Sequence, residues 1–141
     1  MDWIKVQGNS MCPFLLPGDE IAVDWKAAHS TCLASSGELV LGRDASHDWI
    51  VHRVIDWKDG CDPEIKGDAA FCWDHFSSGE VWAKVVAIRP QGLGQEIPLS
   101  RTLLDFLIAR VSRHCLPPER LKSRILRRVV FAMGLFRRKL L

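Results

Sequence analysis

Ser10 and His52 are the residues whose types and surroundings could do nucleophilic and acid–base chemistry. Ser10 lies in Gly8-Asn9-Ser10-Met11-Cys12-Pro13, just after the apolar-rich Trp3-Ile4-Lys5-Val6. A serine hydroxyl is a poor nucleophile until a neighbouring base takes its proton. On a sharp turn after a strand its oxygen is exposed and backbone N–H groups are free to bind an oxyanion. Gly8 and Pro13 fit such a turn, although turn serines without chemistry are common, so this block alone leaves both readings open. His52 sits in Trp49-Ile50-Val51-His52-Arg53-Val54-Ile55. An imidazole with an ordinary pKa near 6.5 is largely neutral at neutral pH and can accept a proton; a core histidine is the alternative. Arg53 is excluded as a base, because a guanidinium stays protonated. The remaining histidines, His29, His47, His75 and His114, share no metal-ligand spacing. The five cysteines are odd in number and form no Cys-x-x-Cys, which argues against a zinc ribbon or a thioredoxin-type site and reads as reduced thiols. Cys12 is close to Ser10 in sequence, but no histidine-paired cysteine motif is present. No metal or cofactor is expected.

The elements that must position these residues are mostly short strands. Glu20-Ile21-Ala22-Val23-Asp24-Trp25 alternates polar and apolar after the Pro17-Gly18-Asp19 turn, the pattern of a half-buried strand. Glu38-Leu39-Val40-Leu41 follows Ser36-Gly37, and the strand bearing His52 ends at Lys58-Asp59-Gly60. Ile65-Lys66 leads into Gly67-Asp68, and the run from Val81 to Ile88 stops at Pro90. About six strands with turns between them predict a mainly β fold, a sandwich or a partly open barrel. After Pro98 the pattern becomes helical. Ser100 is positioned to cap a helix over 101–114, with Leu103, Leu104, Leu107, Ile108 and Val111 on one face. Pro117-Pro118 breaks it, and a second helix runs from about Glu119 towards the end. The expected organisation is a body over 1–98 and a helical basic extension over 99–141.

Four blocks then stand in order: Gly8-Asn9-Ser10-Met11-Cys12-Pro13 with Gly18-Asp19, Gly37-Glu38-Leu39-Val40, Val51-His52-Arg53-Val54-Ile55, and Ile65-Lys66-Gly67-Asp68. Together they resemble the signal peptidase I / LexA-like serine peptidases over roughly residues 4–88. The resemblance implies that family's β fold and a serine endopeptidase that matures a precursor or leader peptide, with Ser10 as nucleophile. Most members carry a lysine base in the third block. His52 there resembles the branch of archaea and the endoplasmic reticulum, in which histidine is the base. That branch places acids at the Lys-Gly-Asp motif and about six residues later, positions that match Asp68 and Asp74. Ala69-Ala70 departs from the family's Asn-rich stretch. Asp74 is favoured as the residue that orients His52, with Asp68 as a supporting turn residue. The Ser10 N–H is expected to hold the oxyanion. The hydroxyl that bacterial signal peptidases often add two residues before the serine is replaced by Gly8, so the rest of that site is unassigned. Rival readings are a non-enzymatic binding module on the same fold and a LexA-like self-cleaving regulator. The regulator is weakened by the histidine base and by the lack of a preceding helix-turn-helix.

Charge is unevenly divided. Residues 113–141 carry nine Lys/Arg against Glu119, a net +8, which leaves the remainder at −6 for a total of +2. Interleaved with the basic residues are Leu121, Ile125, Leu126, Val129, Val130, Met133, Leu135 and Phe136. A basic amphipathic helix suits an anionic membrane surface, and nucleic acid is the less favoured partner. The alternative is a helix packed on the body with its basic face in water. An apolar share of 48% excludes a disordered chain. No signal peptide and no transmembrane helix is read in the sequence, so a cytoplasmic or peripheral membrane location is expected.

Overall fold

The computed structural model describes residues 1–25, 34–58, 62–70, 74, 76, 82–115 and 121–141. His29, His75, Cys32, Cys61, Cys72, the Asp59-Gly60 turn and the Pro117-Pro118 break lie outside the described residues. Seven strands are present among those described: β1 (Asp2–Lys5), β2 (Glu20–Asp24), β3 (Leu39–Arg43), β4 (Trp49–Lys58), β5 (Asp62–Lys66), β6 (Ala83–Arg89) and β7 (Ile97–Pro98). They form one antiparallel sheet in the order β1-β2-β6-β3-β4-β5, with β7 paired to β6 beyond β3. Its path has two free ends, β1 and β5, so the sheet is open. The chain is mainly β, as its strand patterning predicts.

The side-chain period of two divides each strand between two cores. Leu39 and Leu41 of β3 join Val6, Met11, Phe14, Leu15, Ile21, Val23, Val85 and Ile88 in the larger one. Val40 instead joins Val54 and Ile65 in the smaller. In β4, Ile50 and Val54 pack on the smaller core and Val51 on the larger. Alternation therefore puts His52 and Arg53 on opposite faces, which is why one can face Ser10 while the other is held among ion pairs.

Two helices follow, α1 (Leu103–Ser112) and α2 (Leu121–Lys139). The cap of α1 is Thr102, not Ser100: the Thr102 hydroxyl accepts from the Asp105 N–H, and the Asp105 carboxylate accepts from the Thr102 N–H, a capping box. Ser100 instead offers its carbonyl to Arg137. The apolar face of α1 is also narrower than its spacing predicts. Ile108 is buried, and Leu104 and Val111 pack with Val130, Leu126 and Met133 of α2, whereas Leu103 and Leu107 are exposed. Lys66, at the end of β5, is buried and donates to the carbonyls of Ser112 and Cys115, closing the C-terminal end of α1 against the sheet. Gly37 (φ 99°) permits the close approach of α1, since a Cβ there would lie 2.7 Å from the Asp105 backbone.

Candidate active site

The turn after β1 carries Ser10. Its geometry is set by three backbone bonds, from the N–H of Cys12 to Asn9 O and from those of Phe14 and Leu15 to Met11 O. The Cys12–Pro13 peptide is cis. Met11, Phe14 and Leu15 are buried in the main core, and they anchor the turn while Ser10 stays partly exposed. Among the described residues, no backbone carbonyl takes the N–H of Ser10 or of Met11.

Gly67 brings the serine and the histidine together. A Cβ on Gly67 would lie 2.9 Å from Ser10 Cβ and 3.0 Å from His52 Nε2. The two groups therefore face each other across the space that any side chain at position 67 would fill. The Ala69 N–H donates to Ser10 O at 2.7 Å and ties the Lys66-Gly67-Asp68 loop to the serine turn.

Asp74 closes the other side of the imidazole. Its backbone makes a bridge with Ile65, and its Oδ2 lies 3.0 Å from His52 Nδ1. That contact is at ion-pair distance, but no hydrogen bond is made there. Both nitrogens of His52 are buried and lack a hydrogen-bond partner, alone among the buried side-chain nitrogens and oxygens of the described residues. Buried polar groups are normally satisfied, and an exception calls for a reason such as a catalytic role.

Asp68 is directed elsewhere. Its carboxylate takes a two-pronged contact from Arg53, Nε to Oδ1 at 2.9 Å and Nη2 to Oδ2 at 2.8 Å, with both side chains fully buried. Arg53 also donates to Gly37 O and to Asp105. Burial works against its charge, yet Asp68 and Asp105 outweigh burial and move its pKa up. Arg53 and Asp105 thus belong to the frame of the site, a role that sequence reading did not assign. The available signal was an arginine set among the β-branched residues of a strand, a residue type seldom buried unless paired.

A cleft of about 490 Å³ opens beside Ser10. Ile4, Val6, Met11, Ile50 and Val51 give it apolar walls, and its charged residues are Lys5 and Asp48. Cys12 is a poor rival nucleophile. Burial pushes its thiol above the ordinary 9.0, and the opposing pull of Arg138 does not offset this, which keeps it protonated at neutral pH. Among the described residues, no three His, Cys, Asp or Glu side chains gather as a metal site. Set against known proteins, the chain matches no family model, no curated protein and no solved structure.

Proposed function

We propose that the chain is a serine endopeptidase of the signal peptidase I / LexA-like kind, acting on a precursor or leader peptide. The observation that carries this reading is the meeting of Ser10 and His52 around Gly67, with Asp74 on the other side of the imidazole. His52 Nε2 takes the proton of Ser10 as Oγ attacks the scissile carbonyl, and returns it to the leaving amine. Asp74, at Nδ1, stabilises the imidazolium formed in between. The N–H groups of Ser10 and Met11 are the available donors for the oxyanion. The missing serine–histidine hydrogen bond is compatible with this, since such bonds often tighten only when substrate is bound. The apolar cleft beside Ser10 is the proposed seat of the peptide. A second proposed partner is an anionic membrane, met by the outer face of α2.

The test is cleavage of a peptide library by the purified chain, with Ser10→Ala and His52→Ala beside it. The parent is expected to cut, and both variants to lose most of that activity, because each removes one side of the proton transfer. Loss of a triad nucleophile costs on the order of 10⁶ in rate in the best-studied case. Equal cleavage by Ser10→Ala would overturn the assignment. Peptide binding without cleavage by the parent would favour the binding module, and cutting of the chain by itself the self-cleaving regulator.

A further inference from the structure

We propose that the C-terminal end of α2 is a working part of this site, with Arg138 and Gly134 as positioning residues for the turn that carries Ser10. This inference rests on the peptidase reading. Arg138 Nη1 donates to the carbonyl of Phe14 at 2.8 Å, within the turn itself, and to Asp19 Oδ2 at 2.6 Å, while Nη2 reaches Asp19 Oδ1 at 3.1 Å. Asp19 is fully buried and also accepts the N–H groups of Leu16 and Gln91. The guanidinium therefore grips the segment after Ser10 at two points, which a planar fork of donors can do and a lysine ammonium cannot. One turn of helix earlier, Gly134 lies against the ring of Pro13. A Cβ there would meet Pro13 Cδ at 3.2 Å and Cγ at 3.4 Å, so the bare backbone of α2 sets how far the serine turn can move in this direction.

The neighbouring Arg137 ties the same helix to the opposite wall. It donates to Asp105, which also pairs with Arg53, and Arg53 in turn holds Asp68 beside Gly67. Two consecutive arginines thus connect α2 to the serine turn and to the loop facing it. Small displacements of a reacting group are costly, about 100-fold in rate for 1 Å.

The experiment measures kcat and KM on a fluorogenic peptide taken from the library hits, for the parent, Arg138→Ala, Arg138→Lys, Gly134→Ala and the exposed control Leu93→Ala, each with a thermal melt. Arg138→Ala is expected to lower kcat roughly 10- to 100-fold with KM little changed, because neither residue lines the cleft. Arg138→Lys should recover only part of the loss. Gly134→Ala separates positioning from stability. Alanine is the better helix former but its Cβ presses on Pro13, so the melting temperature should stay close to the parent's while kcat falls several-fold. Leu93→Ala should match the parent. A cutting parent with Gly134→Ala and a folded Arg138→Ala equally active overturns the inference alone. Should Arg138→Ala fail to fold, Gly134→Ala decides. A parent that cuts no peptide overturns the peptidase reading and this inference with it.

Discussion

His52 has two aspartates within reach of its motif, and their surroundings give them different work. Asp74 is about one-third exposed on its side chain and faces the imidazole, whereas Asp68 is sealed against Arg53. Their substitutions should therefore separate cleanly. Asp74→Asn keeps shape and loses charge, so it should leave the melting temperature nearly unchanged and lower kcat by up to about 10⁴, the loss seen when a triad aspartate becomes an amide. Asp68→Ala leaves the buried guanidinium with only Asp105 and Gly37 O, a partial break of a pairing whose full loss costs about 3–5 kcal/mol. It should show first as a lowered melting temperature. Melts and peptide cleavage on the two variants check this, and the reverse pattern would exchange their roles. The sequence offered both aspartates as candidates and favoured Asp74 to orient His52, but it carried little to divide their roles. That division depends on where Arg53 points, and Arg53 pairs with groups 15 and 52 residues away.

The strands were legible because each carries its own signal. The alternation over Glu20–Trp25 and the β-branched run of Trp49–Ile55 fall on β2 and β4, although Ile21, Ala22 and Val23 are all buried where alternation predicts a half-buried strand. β7 was not legible, since a two-residue strand ending in proline has no period to read. The helices were legible as helices, but not in which way they face. The spacing of α2 put Ile125, Val129, Leu135 and Phe136 beside Val130 and Met133, yet the first four are exposed. Arg137 and Arg138, read as surface charge, turn inward to Asp105 and Asp19. Only tertiary pairing explains that inversion, and it has a measurable consequence in acid. Burial alone would raise the pKa of Asp19 and Asp105. For Asp19, hydrogen bonds from Arg138, Leu16 and Gln91 outweigh burial; for Asp105, Thr102, Arg53 and Arg137 do so. Both carboxyls are therefore held below the ordinary 3.8. A depressed folded pKa gives stability that is present above the unfolded value and is lost as pH falls through the folded one. The docking of α2 should thus be constant from neutral pH down to about 4 and weaken below it. Thermal melts from pH 7 to 2.5 check this, and a flat profile would show that neither pair contributes.

Taken as a whole, the molecule places an acidic body beside a strongly basic segment, and part of that charge is neutralised internally. Arg137 and Arg138 are held by buried aspartates, and Arg113 pairs with Asp56. What remains outward on α2 is a mixed face: Ile125, Val129, Phe131, Leu135 and Phe136 are exposed, alongside Arg128 and Lys139. No helix among the described residues is long and apolar enough to cross a membrane. A docked helix with this outer face can lie on an anionic bilayer without leaving the body, which makes the membrane and packed-helix readings compatible. Each basic residue near such a surface contributes about 1 kcal/mol, and salt screens that part. Burying a phenylalanine side chain adds roughly 1.5–3 kcal/mol that salt does not screen. Co-sedimentation should therefore favour anionic over neutral vesicles and weaken, without vanishing, as salt rises. Phe131→Ser with Phe136→Ser should remove the salt-resistant part, and Arg128→Ser with Lys139→Ser the preference for anionic lipid. These surface pairs are better probes than a chain shortened before α2, which would also lose the contacts of Arg137 and Arg138. Nucleic acid binding would instead fall steeply with salt and be indifferent to the phenylalanines. Equal sedimentation of the parent and both double variants would sink the membrane proposal, leaving α2 with its inward role alone.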